Sequence, residues 1–437
     1  MLFYQSAWLL ACVYAHVVSS RLGRSAQGKV HLGVVGLATA ILPLLSFDIG
    51  APPPGVSPIG AVLTILLARV GLPVFVMGAT TALLQRWLSG SSAFPSPYWL
   101  YAYSNAGSLL GLLSFPLWFE RVFTRRAQLK VWSLSFVVYV VLLLICMRIS
   151  RSNWPDPNPR RSGIQGIRVS LRSNPVILWL LLSACGSTLL LAITNAVCEN
   201  LAVFPLLWIG PLSLYLLSLI ICFHAQRLYR RPCFFLAFAI CSVALIVVGH
   251  VLRGESPGMT IAGSLLLLFC SCMLCHGELA ALKPAPADLT SFYLTCGAGG
   301  VLGGLFVGLL APALFSDYWE LPLAVQGCGL LVLGVVLRED GWRIVTRRAA
   351  PRVGGLILMG LILVLLVLDK RAPGATPSIR SVRNFYGVLS VAEEDGKRKL
   401  YHGRVEHGFQ YIDPARERQA GAYFGQDSGV AIAISHH

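Results

Sequence analysis

The chain has 437 residues, 56% of them hydrophobic and only 12% charged, about half the charge of a soluble domain. With a mean hydropathy of +0.70, this excludes an ordinary soluble domain and points to an all-α polytopic membrane protein. A formal net charge of +16 would suggest nucleic acid in a soluble protein, but here it reads first as the basic bias of cytoplasmic loops, with the lipid bilayer as partner and no nucleic acid.

About twelve runs are long enough, or nearly so, to cross roughly 30 Å of hydrocarbon. In chain order they are 2–19, 30–47, 58–80, 98–117, 130–148, 176–197, 202–223, 232–251, 258–276, 289–313, 320–337 and 353–369. Met1 leads almost directly into the first run with no basic stretch before it, so no cleavable signal is expected. The Pro/Gly-rich loop at 48–58 is a turn, and 149–175 is a basic linker containing Pro155, Pro157 and Pro159. Most of the 12 cysteines sit inside apolar runs, where they act as small hydrophobes rather than a disulfide framework.

Alternating the loops places Arg21, Arg24, Lys29, Arg86, the 149–175 linker, Arg227, Arg230, Arg231 and Lys283 on one side. The positive-inside rule makes that side cytoplasmic, which puts the protein in the cell (inner) membrane with its C-terminal tail outside. Loop 121–130, with Arg121, Arg125, Arg126 and Lys130, runs against this pattern.

SPYWLYAYSNAGSLLGLLSFP (96–116) and TSFYLTCGAGGVLGGLFVGLLAP (290–312) follow one plan. Each opens on Ser or Thr, continues aromatic–aromatic–Leu, turns Gly-rich and ends at Pro. They occupy the fourth and tenth runs, a period of six helices in the same orientation, as in major-facilitator-like parallel half-repeats. The long basic linker follows the fifth run rather than the sixth, so the chain reads as lacking the ancestral first helix. The expected parts are a first membrane half (1–148), the linker (149–175), a second half (176–350), an extra transmembrane helix (351–370) and a tail (371–437). In the tail, the stretch around Asp395-Gly396 reads as two strands joined by a type I′ turn, a small β-hairpin element.

Cys272-Met273-Leu274-Cys275-His276 is a C-x-x-C-H pattern, the attachment signature of c-type haem. The expected helix and the cytoplasmic position of His276 argue against haem at Cys272, Cys275 and His276. A thiol site from Cys270, Cys272, Cys275 and His276 is outweighed by burial of small thiols, so neither cofactor nor metal is expected. The ninth run ends in His276 and Glu278, with Lys283 beyond as a potential partner for Glu278; these are candidate polar sites at membrane depth or at the interface. Tyr101, Ser104 and Asn105 share a helix face that could line a cavity or hydrogen-bond between helices, and Arg69 is expected to face the bundle interior. Gly299, Gly300, Gly303, Gly304 and Gly308 form a smooth face for helix packing within the monomer. His402 and His407 are five apart, so on a continuous strand they point to opposite faces and a shared metal is not expected.

RNFYGVLSV, LYHGRVEHGFQYIDP and YFGQDSGVAIAI resemble the start of the spermidine-synthase-like domain of the fused membrane-protein/spermidine synthase family. YAYSNAGSLLGLLSFP, FPLLWIGPLSLYLLSLIICF and CHGELAALKPAPADLTSFYL are similar to its membrane part. The resemblance implies a major-facilitator-like bundle joined to an aminopropyltransferase-like domain. The Rossmann-like catalytic domain that it also implies is not found, and His402-Gly403 stands where the family's soluble relatives carry Asp-Gly. The expectation is therefore a shortened member that is not demonstrably an enzyme. Three roles follow: a transporter-like protein for a small, polyamine-class solute; a structural membrane subunit that binds a partner through its tail or apolar flank; or the membrane half of a split aminopropyltransferase-like enzyme.

Overall fold

The structure, a computed structural model, describes residues 1–43, 55–88, 97–153, 175–198, 206–251, 257–339, 360, 378–384, 387–403, 405–419, 421, 425 and 428–436. Eleven of the twelve apolar runs fall on helices: α1 Leu2–Arg21, α2 Arg24–Ile41, α3 Pro58–Leu88, α4 (98–122), α5 Arg125–Asn153, α6 Val176–Cys198, α7 Ile209–His224, α8 Arg231–Val251, α9 Pro257–Ala281, α10 Leu289–Leu314 and α11 Glu320–Glu339. The run 353–369 and most of the linker lie outside the described residues. Among the described residues, seven helices (α1, α3, α5, α6, α9, α10 and α11) are long and apolar enough to cross a membrane, and α7 and α8 are shorter apolar helices. The protein is thus mostly helical, with a small antiparallel sheet in its tail.

Helices α4 and α10 share an anatomy. Each has 17 α-helical residues, Tyr98–Ser114 and Leu289–Leu305, followed by a five-residue π turn that opens on Phe, Phe115–Phe119 and Phe306–Leu310. A proline sits at each widened turn, Pro116 in the first and Pro312 just past the second. Proline offers no N–H and its ring crowds the preceding turn, so a local change of helical pitch is how the backbone accommodates it. Helix α3 does the same at Leu67–Gly71, two residues before Pro73.

The described residues divide into two compact units. The first comprises 1–187, 216–229 and 275–304. Part of its core is the α1–α2–α3–α5 packing, built from Ala15, Val35, Ala38, Val76, Leu83 and Phe136. Inside it His31 is fully buried, with Nε2 2.7 Å from Thr80 Oγ1 and Nδ1 3.4 Å from Tyr14 Oη, while Tyr139 Oη bonds Thr80 Oγ1. Gln27 accepts from Trp87 Nε1 at 2.8 Å.

The second unit comprises 188–215, 230–274 and 305–437. It carries the tail sheet: β1 Ser378–Asn384, β2 Gly387–Glu394, β3 Lys397–His402 and β4 Val405–Tyr411, an antiparallel meander in chain order, followed by the short helix α12 Gly429–Ser435. The hairpin expected at Asp395-Gly396 joins β2 to β3. Both residues have positive φ, 53° and 68°, as a type I′ turn requires. The expected pair of strands is extended by β1 and β4. Glu394 accepts from Lys399 and Tyr401, and that hydrogen bond holds the Lys399 ammonium above the ordinary lysine range.

The sheet is fixed to the start of α11 by one buried ion pair. Arg383 of β1 donates Nη1 and Nη2 to the two carboxylate oxygens of Glu320, at 3.0 and 2.6 Å. Its Nη1 also donates to the Asp317 carbonyl at 2.8 Å, and the guanidinium lies 4.6 Å from the centre of the Tyr318 ring. The two side chains are 3% and 1% exposed. Glu320 is also the first residue of α11, where the helix dipole favours a negative charge.

Candidate functional site

The polar interior of the first unit runs along one face of α10. Thr290, Tyr293, Gly297, Gly300 and Gly304 recur every three or four residues, so they stack on one side of that helix. On α1, Gln5, Trp8, Cys12 and His16 share a face in the same way. The two faces meet antiparallel. His16 Nδ1 is 3.0 Å from Thr290 Oγ1; the Trp8 ring comes within 3.0 Å of where a Cβ on Gly297 would lie; and Gln5 fills the space beside Gly304. Gln5 also donates to Ser187 Oγ of α6 at 2.6 Å, and Ser187 donates to the Gly300 carbonyl at 3.0 Å. Glycine is what brings these helices close enough, since a side chain at 297 or 304 would displace Trp8 or Gln5.

An aromatic cluster lies towards the Thr290 end of this seam. Tyr101 of α4 stacks on Tyr293 with ring centres 5.3 Å apart, and Tyr98 and Trp8 meet Tyr293 edge-on at 6.4 Å. Tyr293 donates to Gln85 Oε1 of α3 at 2.5 Å. Gln85 is 1% exposed, and its Nε2 has no hydrogen-bond partner among the described residues; Gln5 Oε1, at the other end of the seam, is likewise buried and unpartnered. A buried amide left half-satisfied costs about 1–3 kcal/mol, so such groups call for a partner.

A second cluster holds the loop between α9 and α10. Trp179 Nε1 donates to the Leu282 carbonyl at 3.0 Å and Tyr98 Oη to the Pro284 carbonyl at 2.8 Å. Lys283 Nζ reaches Gln226 Oε1 at 3.4 Å and lies 5.6 Å from the Tyr98 ring centre. Just before the loop, Glu278 is fully buried and accepts from Tyr229 Oη at 2.5 Å. The Tyr229 ring lies flat against Gly277, where a Cβ would come within 2.5 Å of it. His276, 1% exposed, has Nδ1 2.8 Å from Ser218 Oγ.

These placements sharpen some expectations and correct others. Tyr101 lies in the aromatic cluster. Asn105 does not reach another helix: its Nδ2 donates to the Tyr101 carbonyl one turn back, at 2.7 Å, and Ser104 is exposed. Arg69 is only half-buried, in the π turn of α3. It stands 16 residues before Gln85, about 24 Å along the helix at ~1.5 Å per residue, so it does not join Tyr101. Lys283 reaches Gln226 rather than Glu278. The glycine face divides. Gly299 packs so tightly on α6 that a Cβ would strike the Leu180 carbonyl, Gly303 is buried and Gly304 meets Gln5, whereas Gly300 and Gly308 face open space. Cys272, Cys275 and His276 lie fully buried in an unbroken stretch of α9.

His402 and His407 are the clearest correction. They stand on two paired strands, with ring centres 5.8 Å apart, and not on one continuous strand. The chain reverses at Gly403 (φ 60°), and a bulge follows in which Tyr401 pairs with Glu406 but Leu400 pairs with Gly408, leaving His407 as the extra residue. The reversal is what brings the two together: His402 pairs with Val405, and His407, two residues further on, falls on the same face.

Sequence reasoning missed Gln5, His16, Gln85, His31 and Thr80. A signal was present for α1, where polar or small residues recur at helical spacing in an apolar run; the partners of Gln85 and His31 come from helices distant in the chain. Neither the family models nor the curated proteins contain a match to this chain.

Proposed function

We propose that this is a multi-pass, transporter-like membrane protein that binds a small organic cation of the polyamine class on the α1–α10 seam. The observation that carries this reading is the pairing of π-rich faces (Trp8, Tyr98, Tyr101, Tyr293) with the half-satisfied amide of buried Gln85 in one cluster. Aromatic faces attract ammonium groups, by about 2 kcal/mol or more when desolvated, and a spare amide can orient a polar ligand. The shared π-turn anatomy of α4 and α10 supports two parallel six-helix half-repeats, and the spermidine-synthase-like resemblance of membrane part and tail supports the solute class. In this reading the protein lies in the inner membrane with the basic linker in the cytoplasm.

Spermidine binding to the full chain in lipid nanodiscs, followed by calorimetry, tests it. Tyr101→Ala and Gln85→Leu should each weaken binding about tenfold, roughly 1.4 kcal/mol. Millimolar spermidine that produces no heat with the wild type, or binding by both variants as tight as that of the wild type, overturns it.

A second reading, a membrane subunit of a larger complex, draws on the tail sheet. Ile379, Val382, Leu389 and Leu400 are 59%, 48%, 41% and 41% exposed on an element outside the apolar helices.

A further inference from the structure

We propose that His402 and His407 form a two-imidazole binding site for a divalent transition-metal ion, Zn²⁺ in the first instance, on the tail sheet. The inference stands apart from the solute site, since it concerns only the sheet of the second unit. A single metal with bonds of about 2.0–2.1 Å to two imidazole nitrogens holds the ring centres roughly 5–6 Å apart. The rings of His402 and His407 are 5.8 Å apart and inclined at 37°. That separation is wider than a stacked pair needs and narrow enough for one ion to bridge.

The backbone is shaped to produce this pairing. Gly403 takes a left-handed φ of 60°, so the chain turns between β3 and β4 immediately after His402. The bulge then adds one residue to β4, and that residue is His407. Val405 is the pairing partner of His402, and ordinary alternation along β4 puts His407, two residues on, on that same face. A third backbone feature seats His402. Gly387, at the start of β2, has φ 128°, and a Cβ there would come within 2.5 Å of His402 Nε2 and 3.4 Å of Tyr318 Oη. The absent side chain gives the imidazole its place, so the left-handed turn at Gly403 and the open position at Gly387 together set the histidine pair.

His407 is exposed and His402 half-buried, so an ion can enter from solvent. Two protein ligands leave the other positions to water, an open site. Imidazole donors suit Zn²⁺, Cu²⁺ and Ni²⁺ and disfavour Mg²⁺ and Ca²⁺, which take oxygen ligands. The bound ion would cross-link β3 to β4 beside the turn, where the ladder is interrupted.

Zn²⁺ competition against a chromophoric chelator, on the full chain in detergent, measures the site. The other histidines and the 12 cysteines can also bind metal, so the reading is the difference between variants. His407→Gln and His402→Gln should each remove one Zn²⁺ equivalent from the micromolar range, weakening it about tenfold or more. His436→Gln should leave all equivalents in place. Because His402 is packed and its variant could perturb the sheet, Cu²⁺ binding read by electron paramagnetic resonance gives a second measure. The spectrum should show two nitrogen ligands in the wild type and one in His407→Gln, whose side chain is exposed. Equal Zn²⁺ stoichiometry and affinity in the wild type and the two single variants overturns the proposal, as does a Cu²⁺ spectrum unchanged by His407→Gln.

Discussion

Arg383 and Glu320 set the terms at the scale of single residues. Neither is near the other in sequence, yet each buries almost its whole charged group against the other. Removing one partner of a buried pair leaves an uncompensated charge, which costs about 3–5 kcal/mol, whereas replacing both with apolar residues is often close to neutral. Arg383→Ala should therefore lower the thermal stability of the tail by about 3–5 kcal/mol. The double variant Arg383→Met/Glu320→Leu should recover most of the loss. Proteolysis of β1 with temperature, run as a double-mutant cycle, measures both, and equal damage in the single and double variants would refute the argument. This contact could not be read from the sequence, because 63 positions separate its partners and the intervening stretch carries other basic residues equally able to pair with Glu320. Tyr101, by contrast, was legible, since its i,i+3 and i,i+4 neighbours are polar in an otherwise apolar helix. What the spacing could not tell was that Asn105 turns back onto its own helix.

At the scale of elements, most of the fold was legible for a simple reason. A run of some 18 apolar residues has few alternatives to a membrane helix, so eleven runs fall on helices even where their ends shift. The seventh run was read from 202, while α7 begins at Ile209. The tail was only half legible. Asp395-Gly396 announces its turn through two residues that accept positive φ, but β1 is dominated by polar and charged residues and β4 is interrupted by Gly408 and its bulge. The glycine face of α10 shows why a pattern needs its partner to be interpreted. A Gly299→Val side chain would strike the backbone of α6, which cannot move aside as a side chain can, whereas Gly300→Ala and Gly308→Ala meet nothing. Gly299→Val should sharply lower the melting temperature and the yield of folded monomer, while the other two stay within about 1 kcal/mol of wild type. Fluorescence-detected size exclusion after heating distinguishes them. If Gly300→Ala proved as damaging as Gly299→Val, the close α6–α10 approach would be wrong.

At the scale of the whole molecule, the anchored tail constrains topology in a way composition alone does not. Ser381 Oγ donates to the Ser316 carbonyl at 3.2 Å and Arg383 to the Asp317 carbonyl. The sheet therefore sits against the loop between α10 and α11. Helix α11 is long and apolar enough to cross a membrane, and the apolar run 353–369 lies outside the described residues. The sidedness expected from the basic-loop bias would put loop and tail outside and Arg21 inside. Single cysteines at Ser316, Glu417 and Arg21, placed in a background with the exposed native thiols removed, report this through a membrane-impermeant maleimide. Ser316→Cys and Glu417→Cys should label together in intact cells, and Arg21→Cys only after the membrane is opened. Labelling of Glu417→Cys without Ser316→Cys would separate the tail from its anchor. Labelling of all three from the same side would remove the alternation on which the sidedness of every loop depends.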